Sequence, residues 1–185
     1  MAEQVTVNGS TASLLAAARS GGKGPPPVHL WSPPYCGEID IVIKRDGTWI
    51  HEGTPIGRPG LVRLFASVLK REGDKHFLVT PVEKLGVVVE DAPFVAVDFE
   101  AADGRITFST NVGDLVAAGP EHPIRVEIGP DGEPSPYVEV RRGLEALIDR
   151  KSFYRLVDIG VEEDGWFGVR SEGTFFAMIE AAALR

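Results

Sequence analysis

From Glu38 onward the sequence is cut into short β-branched or aromatic runs, each closed by a turn signal, and that rhythm restricts the fold more than any other feature. The segment EIDIVIKRDGTWIH alternates Ile39, Ile41 and Ile43 against Asp40, Val42 and Lys44, turns at Asp46-Gly47 and resumes at Trp49. A period of two puts alternate side chains on opposite faces of a strand, and Asp-Gly tolerates the positive φ values of a tight turn, so the segment reads as a β-hairpin. HFLVT, KLGVVVE, PFVAVDFEA, GRITFST and HPIRVEI repeat the pattern, with Asp103-Gly104 and Asp131-Gly132 as further turns. All are expected to be antiparallel strands.

Helical phases interrupt the strands. TASLLAAAR, residues 11–19, is rich in Ala and Leu, with Ser10 or Thr11 as N-cap. SGGKGPPP must stop that helix and serve as a linker, because prolines remove backbone donors and Gly-Gly adds no stiffness. Its GGKG lacks the G-x-x-x-x-G-K-[ST] spacing of a phosphate loop and leads into prolines where the phosphate-binding helix should begin. RPGLVRLFASVLKREG places Leu61, Leu64, Phe65, Val68 and Leu69 on one helical face between Pro59 and a terminating Gly73. RRGLEALIDRKSFYRLV reads as another helix, and DIGVEED, WFGVRS and TFFAMI as closing strands. The chain divides into an N-terminal helix and Pro/Gly linker (1–32), a first α+β domain (33–93) and a second (94–185).

The two later helical phases echo each other. Arg58 aligns with Arg150, Leu61 with Phe153, Arg63 with Arg155 and Leu64 with Leu156; after a two-residue gap, Phe77 aligns with Phe167 and Val79 with Val169. A duplicated β-β-α-β unit is the expectation, with the interface between halves as a favoured place for a ligand.

Charge narrows the function classes. With 27 acidic against 19 basic residues and a net charge of −8, the chain has no general attraction for nucleic acid or anionic membrane. No apolar run approaches the roughly 18 residues of a membrane span, and the N-terminus does not read as a secretory signal, so a cytoplasmic location is expected. Cys36 is the only cysteine, which excludes an internal disulfide and any CxxC site; a small residue in a tight turn is the favoured reading over a reactive thiol.

GTWIHEGTPIGR, residues 47–58, holds the densest set of chemically capable side chains. His51 and Glu52 lack zincin spacing, and neighbours on a strand face opposite ways, so a His-ligated metal is not expected; His29, His76 and His122 are scattered. Glu90-Asp91 in VEDAP are paired carboxylates suited to acid-base work, or simply a turn before Pro93. TNVGD offers Asn111 from a turn. The sharpest signal is local charge reversal: Arg141, Arg142, Arg150, Lys151 and Arg155 are opposed only by Glu145 and Asp149, and Tyr137 and Tyr154 flank them. Arg with Tyr can hold a phosphate while a ring stacks on a base; the alternative is a solvated helix face with Arg142 paired to Glu145 and Asp149.

The blocks CGEIDIVIKRDGTWIHEGTPIGRPGLVRLF, LVTPVEKLGVVVEDAPFVAVD, TNVGD, PYVEVRRGLEALIDRKSFYRLV and GTFF, from about Pro33 to Phe176, resemble the bacterial domain of unknown function 1285 family. The resemblance implies an α+β protein with a duplicated core and a second half resembling pleckstrin-homology folds. It further implies a ligand site between halves, for a nucleotide-like molecule, and a role in signalling. Its candidate residues are Trp49, His51, Arg58, Thr80, Glu90, Asp91, Asn111, Tyr137, Arg141, Arg150 and Tyr154, none with an assigned catalytic role.

The expectation is therefore a ligand-binding regulatory protein, with non-enzymatic binding favoured, taking a small anionic or nucleotide-like ligand without cofactor or metal. Two alternatives stay open: a hydrolase or transferase using Glu90 or Asp91 beside His51, and a protein-interaction module.

Overall fold

The computed structural model describes residues 9–19 and 24–185, with side chains described from Thr11 onward. The Gly-Gly-Lys of the expected linker lies outside the described residues. The chain forms two compact units: unit 1 holds Met1–Lys44 and Thr48–Val89, and unit 2 holds Arg45–Gly47 and Glu90–Arg185.

Unit 1 begins with helix α1 (Gly9–Arg19), which starts two residues before Thr11 and so leaves Thr11 buried inside the helix rather than capping it. Strands β1 (Tyr35–Ile43), β2 (Trp49–His51) and β3 (Thr54–Pro55) form an antiparallel meander, and exposed Cys36 lies in β1 rather than in a turn. Helix α2 (Pro59–Ser67) follows, then a second meander of β4 (Leu69–Glu72), β5 (Lys75–Val79) and β6 (Lys84–Val89). The sheet order is β3-β2-β1-β6-β5-β4, and the β1–β6 pair is parallel, with Val42 opposite Val88. All-antiparallel pairing was the sequence expectation; the seam between meanders departs from it.

The core of unit 1 follows the alternation. Ile41 and Ile43 point inward, and Trp49, directly across from Ile43, shares their face and stacks on Phe65 of α2 with ring centroids 6.4 Å apart. Leu14 of α1 is fully buried, and α1 packs on α2.

Unit 2 repeats the strand plan. Meanders β7 (Phe94–Ala102), β8 (Arg105–Thr110), β9 (Leu115–Ala117) and β10 (Ile124–Ile128), β11 (Pro134–Arg141), β12 (Leu144–Ile148) give the order β10-β11-β12-β7-β8-β9. Once more the first strand of the first meander joins the last strand of the second in parallel, Phe94 opposite Ala146. The duplication thus relates β1–β6 to β7–β12, not α2 to α3 as the sequence echo aligned them; in unit 2 the helix α3 (Arg150–Asp158) comes after the six strands instead of between meanders. A curled sheet followed by α3 is compatible with the pleckstrin-homology-like expectation.

The sheet of unit 2 cannot be flat. Its outermost strands β9 and β10 are joined by a tight turn in which Gly119 and His122 exchange backbone hydrogen bonds of 3.1 Å. Six flat strands would hold their edges about 24 Å apart, so the sheet curls. A small antiparallel sheet, β13 (Val161–Glu163), β14 (Trp166–Ser171) and β15 (Thr174–Glu180), packs on β10 and β8. Its anchor is Ser171, fully buried, whose Oγ accepts from the Ile106 amide (2.9 Å) and donates to the Ala118 carbonyl (2.7 Å). No helix among the described residues is long and apolar enough to cross a membrane.

Two expected helices are shorter than their apolar patterns. α2 ends at Ser67; Leu69 opens β4 opposite Leu78, and Gly73, with φ of +61°, turns the β4–β5 hairpin. RRGLEALI is a hairpin: Arg142 and Gly143 have φ of +46° and +78°, the two-residue turn that suits paired strands, and Leu144, Ala146 and Ile148 alternate inward. The helix begins only at Asp149, whose carboxylate caps Ser152 N–H at 2.8 Å. Glu145 consequently lies on a strand and is not an intrahelical partner of Arg142.

Replacing Ser171 by Ala strands a buried amide and a buried carbonyl together, and the expected loss is about 2–3 kcal/mol in urea-unfolding stability. A loss below about 0.5 kcal/mol would show that the serine does not hold the third sheet.

Candidate functional site

The polar network of unit 2 assembles from four segments. Arg45 belongs to the turn Arg45–Gly47, Glu90 and Asp91 precede β7, Ser135 and Tyr137 lie on β11, and Arg125 lies on β10. Arg125 is directly opposite Tyr137, so both side chains share a face, and the guanidinium carbon sits 4.3 Å from the ring centroid. Glu145 fixes that guanidinium through Nε (3.0 Å) and Nη2 (2.9 Å).

Tyr137 is buried and its hydroxyl donates to Asp91 Oδ1 at 2.7 Å. Burial, then the adjacent Asp91 carboxylate, pushes the phenol up to about 12, because both disfavour the phenolate. Asp91 Oδ2 is buried without a hydrogen bond and faces Arg45 Nε at 3.5 Å as an ion pair. Arg45 is held from two more directions: its N–H donates to Glu90 Oε2 (2.9 Å) and its Nη2 to Ser135 Oγ (3.1 Å). Its side chain is nevertheless 58% exposed, so a positioned guanidinium faces solvent.

The other candidates divide by what they touch. Trp49 is core. Thr80 is buried and its Oγ1 accepts from Val82 N–H (3.2 Å) and Glu83 N–H (3.0 Å), closing the β5–β6 turn. Asn111 ties β7 to its neighbours: Oδ1 accepts from Val95 N–H (3.0 Å) and Nδ2 donates to Gly47 O (3.4 Å). His51 lies half-buried on β2 opposite Ile41, and Arg58 is the exposed residue before α2. Arg150 and Tyr154 are exposed on α3.

The structure brings Asp91 and Tyr137 together but separates Arg141 from Arg150. They lie at opposite ends of β12, roughly 17 Å for a strand of that length. Within the stretch, Arg141 pairs with Asp114 (2.7 Å) and sits over the Phe94 ring, and Arg155 pairs with Asp98, donates to Phe99 O (3.0 Å) and lies over the Phe99 ring. These cations serve internal carboxylates.

Sequence reasoning missed Arg45, Ser135 and Arg125. The bonds that define the site link residues 45, 46 and 90 positions apart, and no local pattern signals such pairs. A groove of about 430 Å³ is lined by Glu100, Ala102, Asp103, Arg105 and Thr107, none of them a candidate from the sequence. Its one cation, Arg105, is engaged by Glu172 at 2.8 Å, so the groove does not favour anions. Among the described residues no group of three or more His, Cys, Asp or Glu could hold a metal. His76 is pulled down to about 4 by burial, with Arg71 adding to the effect, so it stays neutral at physiological pH.

Two family models cover most of the chain: the N-terminal domain of the domain of unknown function DUF1285 over residues 26–92, and the C-terminal domain of the protein of unknown function DUF1285 over residues 93–178. A crystal structure of a DUF1285 family protein from Silicibacter pomeroyi is 60% identical, with a TM-score of 0.86 over 92% of this chain and 97% of that one. A second, from Shewanella baltica, is 34% identical, with a TM-score of 0.53 over 65% of this chain and 91% of that one. Among curated proteins, none matches.

The Tyr137 environment sets a pH dependence. A phenol raised from its ordinary 10 to about 12 binds its proton more tightly folded than unfolded, so its stabilising contribution is complete below pH 10 and is lost as pH rises toward 12. Ultraviolet titration should show one of the three tyrosines ionising near pH 12, and Tyr137→Phe should remove that step. An unchanged titration curve in the variant would refute the assignment.

Proposed function

The chain belongs to the DUF1285 family, and from that premise we propose that it is a ligand-binding regulatory protein whose second unit takes a small anionic molecule, a phosphate- or carboxylate-bearing compound such as a nucleotide, on Arg45. The observation that carries this reading is the exposed guanidinium braced by Asp91 and Ser135. Guanidinium has five donors in a fixed fork, and among the described residues only one of them makes a hydrogen bond, to Ser135, so the fork can accept a planar carboxylate or a phosphate without first being ordered. The buried Asp91–Tyr137 bond keeps the brace in place, and Arg125, itself paired with Glu145, lies over the tyrosine ring.

A role in signal transduction and a cytoplasmic location belong to the same proposal and rest on the sequence expectations. The alternative of a hydrolase or transferase built on Glu90, Asp91 and His51 has no specific observation behind it: Glu90 accepts from Arg45 and Asp91 from Tyr137, so both carboxylates serve structural donors.

A thermal-shift panel of inorganic phosphate, mono-, di- and cyclic nucleotides and small dicarboxylates tests the reading. A true ligand at 100 times its Kd should add about 2.7 kcal/mol of stability. The shift should vanish in Arg45→Ala, itself costing no more than about 1 kcal/mol as an exposed pair, and persist in Arg150→Ala. Stabilisation by none of these anions, or an equal shift in Arg45→Ala, would overturn it.

A further inference from the structure

The outer face of α3 has no role in the Arg45 site. Ser152 and Leu156 are buried, and the opposite side carries Arg150, Lys151, Tyr154, Val157 and Asp158, all exposed. At 100° per residue, Arg150, Tyr154, Val157 and Asp158 fall on one stripe centred on Tyr154, the middle residue of the helix. Tyr154 is 58% exposed and Val157 40%, and just after the helix Ile159 and Val161 are 44% and 47% exposed.

The charges on this stripe run against the helix. Arg150 and Lys151 occupy the first turn, where the macrodipole is positive, and Asp158 the last position, where it is negative. Each placement weakens an isolated helix, yet together they make the stripe complementary to itself. Turned end for end about Tyr154, it sets cation against carboxylate at both ends and ring against ring at the centre. We propose that this face is a self-association surface, on which α3 of a second copy of the chain docks antiparallel, with Arg150 meeting Asp158 of the partner and Tyr154 meeting its counterpart across a two-fold axis.

A helix of nine residues plus two apolar neighbours is smaller than the ~800 Å² per partner of stable interfaces. The association is therefore reversible, concentration-dependent and weakened by salt. Sedimentation equilibrium on the full chain at low salt, from micromolar to submillimolar concentration, should show a monomer–dimer equilibrium. Arg150→Asp or Asp158→Arg alone should weaken the dimer by about tenfold or more. Each single change matches the macrodipole better than the native residue, so loss of dimer cannot be ascribed to a melted helix; circular dichroism and melting temperature should be unchanged or improved. The double variant Arg150→Asp/Asp158→Arg should regain the dimer, and so should a mixture of the two single variants, since the swapped charges meet again. A native chain that stays monomeric throughout, single variants that dimerise as the native chain does, or a double variant that fails to recover would each overturn the proposal, the first leaving the face to a different protein.

Discussion

Each six-stranded sheet depends on one parallel ladder, β1 with β6 in unit 1 and β7 with β12 in unit 2. All other pairings within the six strands join neighbours in sequence, which short turns close at little entropic cost. The seam joins the first and last strands of each set, so it alone converts two marginal three-stranded meanders into one sheet with a continuous core face. It also dictates the connection between meanders: the chain leaves one outer strand and must re-enter at the other. Unit 1 makes that crossing with α2, whose Phe65 then lies over Trp49, and unit 2 makes it with a tight turn that forces the sheet to curl.

The local turns were legible and the seams were not. Asp46-Gly47, Asp103-Gly104 and Asp131-Gly132 lie in hairpin turns as their residue types require, and Ile41, Ile43 and Trp49 face the core as their alternation requires. Gly73 misled because a glycine at positive φ ends a helix and turns a hairpin equally well. Leu144, Leu147 and Ile148 fit helical spacing, yet Leu144, Ala146 and Ile148 fit strand spacing; over five residues the two periods cannot be told apart. Parallel pairing between distant strands leaves no trace in either period. The echo between α2 and α3 pointed to a duplication that exists, but in the strand order, a property that residue matching does not see.

The candidate site shows the same limit. Asp91 and Tyr137 are separate candidates in the sequence and are bonded to each other, while Arg45, which pairs with Asp91, goes unnoticed in a turn. The basic run from Arg141 to Arg155 looked like one anion site because a helix would have gathered it; the hairpin and Asp149 cap split it, and Asp114 and Asp98 neutralise two of its members. A charge count along the chain is a reliable guide to a site only when the secondary structure beneath it is known.

The contiguity of each strand set bears on how the protein is made. Every strand of the first sheet lies between Tyr35 and Val89, and every strand of the second between Phe94 and Ile148. A chain emerging from the ribosome can therefore complete the first seam before the strands of the second exist. Two sheets of the same order offer each other's strands as near-equivalent partners, and a chain refolding from denaturant presents all twelve at once. Vectorial synthesis removes that ambiguity by timing, since the first β6 can meet only its own β1.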